Sequence, residues 1–359
     1  MNNGYFKIKK KIENGERITL KEGLFLFNSN DLLSIGELAS LVNNRKNGKN
    51  VYFIVNRHIN PTNICVNRCK FCAFSKDKGE AGAYEMTLEE IFKRAEDGAE
   101  DGASEFHIVG GLHPDLPFAF YLDMLKGLKK RFPDIHIQGF TMVEIDYFSK
   151  ISGLSIEETL LSLKEAGIGS IPGGGAEIFA EGVRSKICPD KIKGERWLEI
   201  AVKAHKLGIK SNATMLYGHI EKYEDRVDHL EKLRKVQDET YGFQSFIPLS
   251  FHSKNTDILK SHFTTGVDDL KTLAIARIYL DNFPHIKAFW IMLGEKISQV
   301  SLSFGVDDID GTVVEEKITH SAGAETKEAM TKDELVRLIK DAGKIPVERD
   351  TLYNIMRIY

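Results

Sequence analysis

The chain has 359 residues and a formal net charge of −3, with 49 Lys and Arg interspersed among 52 Asp and Glu. That mixture leaves no basic stripe to track a phosphate backbone, so nucleic acid is excluded as an expected partner. No window approaches the ~18 uninterrupted apolar residues of a membrane span, and the opening stretch Met1 to Lys7 has no apolar leader core. The expectation is therefore a cytoplasmic protein with no membrane association, long enough for one large α/β domain.

In chain order, residues 1–50 read as a helical extension: Ile35 to Val42 has helical spacing, and Asn43 to Asn50 reads as a polar connector. From Val51 onward, short apolar runs alternate with amphipathic stretches, the pattern of parallel strands joined by crossover helices. Strands are predicted at 51–55, 105–109, 135–140, 168–171, 210–215, 244–248, 288–292 and 300–304, and helices at 87–102, 118–132, 155–166, 195–207, 223–240 and 267–282. Thr87 with Glu90 forms a capping box, and Gly208 follows Leu207 where a helix stop is wanted. Eight strands predict an α/β fold of the TIM-type (β/α) barrel class with a core over 51–286. Residues 287–359 then supply C-terminal strands and a helix (332–342) that complete or cap it. Because closure cannot be read from periodicity, an open six-stranded sheet with a separate C-terminal subdomain is the alternative.

Four cysteines are too few for a disulfide framework, and three of them, Cys65, Cys69 and Cys72, stand at C-x3-C-x2-C spacing after the first predicted strand. A structural zinc site would complete four protein ligands, and only the distant Cys188 remains. Three thiolates on an iron–sulfur cluster instead leave one iron open for chemistry. Cys188, just before Pro189, reads as a small buried filler.

With Phe71 before the last cysteine, this block resembles the radical S-adenosylmethionine (SAM) superfamily. The resemblance implies a [4Fe–4S] cluster on Cys65, Cys69 and Cys72, with SAM as co-substrate and Phe71 beside its adenine. Over nearly the whole chain the sequence resembles the group that contains aminofutalosine synthase, cyclic dehypoxanthinyl futalosine synthase and the two halves of the deazaflavin F0 synthase. The blocks 108–117, 140–145, 218–221 and 311–320 are most similar to the aminofutalosine synthase versions. Ser253 departs from the group, which usually has proline after the histidine at the position of His252.

Several expectations about the site follow. Gly110, Gly111, Gly173, Gly174 and Gly175 would let backbone approach SAM closely. Glu144, Glu177 and Arg184 would meet its ammonium, ribose and carboxylate. His58, His113, Thr141, His219, His252 and Asn255, at predicted strand ends, would face the second substrate. The resemblance implies that this substrate is 3-[(1-carboxyvinyl)oxy]benzoate, to which the adenosyl group adds, with aryl migration and loss of the carboxyl carbon, in the futalosine route to menaquinone. It further implies a reductant protein such as flavodoxin or ferredoxin, and the C-terminal helix leaves room for a homodimer.

Overall fold

The apolar run after Lys49 forms one extended segment broken once at Val55, giving β1 (Asn50–Ile54) and β2 (Asn56–Ile59) in a computed structural model that describes residues 3–258 and 264–359. β2 is followed by β3 (Glu105–Ile108), β4 (His136–Gly139), β5 (Ser170–Ile171), β6 (Lys210–Tyr217), β7 (Phe243–Ser250) and β8 (His285–Ile286), all parallel and in that spatial order. β9 (Asp308–Gly311) pairs parallel with β1, while Lys287 bridges to Asp308 and Arg57 to Val314. These contacts close the ring. With β1 and β2 taken as one strand, it is an eight-stranded parallel barrel, whose loops at the carboxyl ends of the strands carry function in this architecture.

The crossover helices form where local signals demand them. Capping boxes open Leu88–Glu100, Met142–Ser152, Ile156–Ala166 and Lys332–Asp341 from Thr87, Thr141, Ser155 and Thr331. Each turns an apolar face to the sheet: Leu88–Glu100 buries Ile91 and Ala95, and Phe118–Arg131 buries Met124, Leu125 and Leu128. Burial of each such large side chain is worth about 1.5–3 kcal/mol. Gly98 lets its helix lie on β2, because a Cβ there would come within 2.8 Å of the Arg57 side chain.

The last strands close the bottom. β10 (Ile345–Arg349) pairs parallel with β1 beneath the point where β2 meets β3, and β11 (Ile355–Ile358) pairs antiparallel with β10. Arg349 sends its guanidinium to Asp308 (2.7 and 2.8 Å), Tyr353 donates to the same carboxylate at 2.7 Å, and Gln244 at the start of β7 donates to the Thr351 carbonyl. Residues 287–359 thus supply both the closing strand and the floor.

Three sequence expectations are corrected. Helix Leu32–Asn47 runs through most of the supposed connector, capped by Asp31, and Gly36 packs its backbone against Phe304. Residues 288–292 are not a strand: the strand is the shorter β8, and Trp290–Leu293 is a helical turn whose Trp290 indole donates to Gly311 O. Residues 300–304 are the end of helix Glu295–Ser301 and the turn after it, and the eighth strand is β9. Apolar runs of four or five residues do not by themselves tell a buried helical turn from a buried strand.

Candidate active site

A cavity of about 310 Å³ opens at the carboxyl ends of the strands, lined by Cys65, Cys69 and Cys72 on one side and by the interior of the barrel on the other. The cysteine loop follows β2 and is pinned by backbone bonds: Cys65 N–H to Lys76 O, Val66 N–H to Leu112 O, and Lys70 N–H to Ile187 O. Gly111 permits this docking, since a Cβ would lie 2.2 Å from Ile64 O. Burial raises the Cys65 thiol, opposed by the backbone amides of Leu112 and Asn67, which favour its thiolate. Burial pushes the Cys69 thiol up to about 12, so the free group keeps its proton until a metal displaces it. Among the described residues no three His, Cys, Asp or Glu side chains converge as ligands of a single ion would. Cys188 is buried away from the cavity lining. Three thiols at a cavity that Cys188 does not line therefore suit a cluster with one open iron better than a closed zinc site.

Of the residues expected to meet SAM, Phe71, Gly110, Gly111, Glu144, Gly174, Gly175 and Glu177 line the cavity. Glu144 is not at a strand end but in the first turn of Met142–Ser152, where it accepts from Thr141 N–H and Oγ (both 2.7 Å) and from Gly110 N–H (3.0 Å). Burial raises its carboxyl to about 7 in spite of those bonds. Gly173 serves packing: its φ is +83°, and a Cβ would sit 2.1 Å from Asn212 O. Arg184 is also set apart. Its guanidinium is buried against the carbonyls of Gly175, Ala176, Ile178 and Ile192, where it ties the glycine loop to the following helix.

Of the residues expected to meet the second substrate, His58, Thr141 and His252 line the cavity. His113 is buried outside it, accepting from the amides of Asp115 and Leu116, with Nε2 2.6 Å from Glu85. His219 is bound into its own turn, with Nδ1 accepting from Ile220 N–H and Nε2 donating to Leu216 O. Asn255 donates to Ser321 O at 3.1 Å outside the lining. Position in a loop after a strand was the shared signal, and it does not say whether the side chain points in.

Lys191, His107, Lys287, Asp310 and Glu316 also line the cavity and were not singled out by sequence. Lys191 pairs with Glu177 at 2.6 Å and lies 5.0 Å above the Phe71 ring. Lys287, the single charge in the apolar run Ile286 to Leu293, was the most readable of the five.

A parallel barrel whose mouth carries three cysteines and a glycine-lined cavity defines the class of the protein as a radical SAM enzyme. The Radical SAM superfamily model matches residues 59–233, and the CofH/MqnC C-terminal region matches 240–359. The chain belongs to the radical SAM superfamily and, within it, to the family that carries the CofH/MqnC C-terminal region; it uses a [4Fe–4S] cluster and SAM. It is 49% identical to the aminodeoxyfutalosine synthase of Thermus thermophilus over 98% of this chain and 96% of that one. It is 44% identical to the synthase of the same name from Streptomyces coelicolor, over 98% and 94%. The 5-amino-6-(D-ribitylamino)uracil–L-tyrosine 4-hydroxyphenyl transferase of Methanopyrus kandleri is 43% identical over 87% of this chain and 86% of its own length. Among solved structures, methylornithine synthase shares the fold with a TM-score of 0.75 at 16% identity, covering 94% of this chain and 97% of that one. Among the described residues no helix is long and apolar enough to cross a membrane.

Proposed function

We propose that the protein acts as an aminodeoxyfutalosine synthase, a transferase that adds the adenosyl group of SAM to 3-[(1-carboxyvinyl)oxy]benzoate. The observation that carries this reading is the near-full-length identity of 49% to one synthase of that name, above the 43% and 44% to the transferases of Methanopyrus kandleri and Archaeoglobus fulgidus, with a second synthase at 44% over 98% of this chain. Cys65, Cys69 and Cys72 would hold the cluster, which when bound and reduced supplies the electron that cleaves SAM to an adenosyl radical. A small reductant protein of the flavodoxin or ferredoxin kind would deliver it.

The protein's own residues have three tasks. Gly110, Gly174 and Gly175 give SAM a close backbone wall, and Glu144 fixes Gly110 by accepting its N–H. Val109, Leu216, Ile247 and Leu249 give the aromatic ring an apolar wall that excludes water and stray hydrogen donors. The barrel strands hold both partners at near-attack distance, where orientation contributes most.

The test is mass spectrometry of an anaerobic reaction of the reconstituted enzyme with SAM, dithionite and 3-[(1-carboxyvinyl)oxy]benzoate. A product that retains the adenosyl group is expected. Release of free 5′-deoxyadenosine alone would leave the superfamily intact and remove this substrate.

A further inference from the structure

The inner end of the cavity holds polar groups that neither the cysteine loop nor the glycine wall explains. His58, His107 and Gln138 stand in register on β2, β3 and β4, and all three line the cavity. The two imidazoles stack, with centroids 4.4 Å apart and planes within 8°. His58 is 6% exposed, and its Nε2 has no hydrogen-bond partner. A buried, unpaired ring nitrogen on a residue that lines a cavity is costly unless a partner completes it.

Lys287 enters the same space from the end of β8, with Nζ 2.9 Å from the Asp310 carboxylate. Asp310 adopts φ +67°, which L side chains rarely take, and is held there by its own N–H donating to Asp308 Oδ1 at 2.6 Å. The other charges near Lys287 are already engaged: Glu105 lies 3.7 Å from His107 Nδ1, and Asp308 is bound by Arg349. Among the described residues Asp310 accepts the one hydrogen bond of an ammonium that has three protons. An ammonium with unused protons and an imidazole with an unpaired nitrogen thus lie on the lining of one cavity.

We propose that Lys287 and His58 receive the ring carboxylate of the aryl enol ether, with Asp310 as the positioning residue that aims the Lys287 head. This rests on the proposed function and adds the orientation of the substrate. The vinyl carbon must face the adenosyl group near the cysteine mouth, so the ring and its carboxylate point inward, where the strands carry these donors. The pair would then select a carboxylated ring over a bare one, because an uncarboxylated ring leaves both donors unpaired.

The experiment compares kcat/KM for 3-[(1-carboxyvinyl)oxy]benzoate and for 2-phenoxyacrylate, which lacks only the ring carboxylate, in wild type, Lys287→Met, Lys287→Arg and His58→Asn. The ratio of the two values is independent of how much of a variant is folded or loaded. Lys287→Met should shrink the wild-type preference about 30-fold, mainly through KM of the carboxylated substrate, with His58→Asn acting in the same direction and Lys287→Arg restoring part of it. An unchanged ratio in both Lys287→Met and His58→Asn, with the wild type active, would overturn the pocket alone. No adenosylated product from wild type would overturn the underlying function as well.

Discussion

The mouth and the floor of this barrel are built from the same kinds of strand ends and loops, yet they reach stability differently. At the mouth, Cys65, Cys69 and Cys72 present sulfurs to the cavity from a loop held by a few backbone bonds, and the group that would satisfy them is not part of the chain. At the floor, buried charges satisfy one another: Arg349 with Asp308 and Arg277 with Asp307. The comparison separates residues whose loss removes function and leaves the fold from residues whose loss removes the fold.

The largest effect is expected at the mouth. Cys69→Ala should abolish turnover and lower iron content after reconstitution while the metal-free protein melts as wild type does, and Cys188→Ala should retain iron and activity. Iron analysis with thermal melts of both metal-free variants checks this; a Cys69→Ala protein that keeps a full complement of catalytically competent cluster would break the distinction.

The floor gives the opposite signature. Arg349→Met leaves Asp308 buried with one partner fewer, and breaking such a pair costs about 3–5 kcal/mol. Denaturant unfolding should show a loss of that size, whereas an unchanged midpoint would mean that the floor does not hold the barrel closed.

Lys191 lies between the two regions, a cation beside Glu177 and the Phe71 ring at the cysteine loop. Replacing it with Met removes positive charge close to Cys69, so a cluster held there should become harder to reduce. A redox titration followed by electron paramagnetic resonance should show a lower potential with iron content preserved; a potential equal to wild type would limit Lys191 to packing.

The smallest expected effect depends on pH. Both ring nitrogens of His320 lie within hydrogen-bond distance of carbonyl oxygens, those of Glu316 and Thr326, and the Glu316 carboxylate is 3.4 Å from Nδ1. The side-chain interaction with Glu316 leads the causes that raise its pKa to about 9. Because the folded value lies above the ordinary 6.5, the stabilisation is complete below about pH 6.5 and is lost as pH rises through about 9. Unfolding across this window should show stability falling in wild type and falling less in His320→Asn; parallel curves would assign the contact no role.

Much of this was legible in the sequence, for reasons that differ by region. Alternating strand and helix patterns with Thr87, Glu90 and Gly208 as punctuation placed the crossover units, and the cysteine spacing placed the mouth, because both are local signals. The end of the barrel was misread at 288–304 because closure by β9 depends on pairing with β1, some 250 residues earlier, and no local pattern encodes it. Side-chain direction was illegible for the same reason. His58 and His113 both lie just beyond an apolar run, but only the pairing of β2 with β3 turns His58 into the barrel, while His113 caps its own loop. Arg184 looked like a carboxylate binder and instead binds four carbonyls, a role set by the fold of the glycine loop around it.

The central claim is that this barrel joins the adenosyl group of SAM to an aryl enol ether, and relatives of similar identity bear another name. It is tested most directly by offering the reduced enzyme and SAM two alternatives in separate anaerobic reactions: 3-[(1-carboxyvinyl)oxy]benzoate, or tyrosine with 5-amino-6-(D-ribitylamino)uracil. The account predicts an adenosyl-bearing product from the first and no substrate-dependent consumption of SAM with the second. Release of 5′-deoxyadenosine that requires tyrosine, with the enol ether left unchanged, would contradict it.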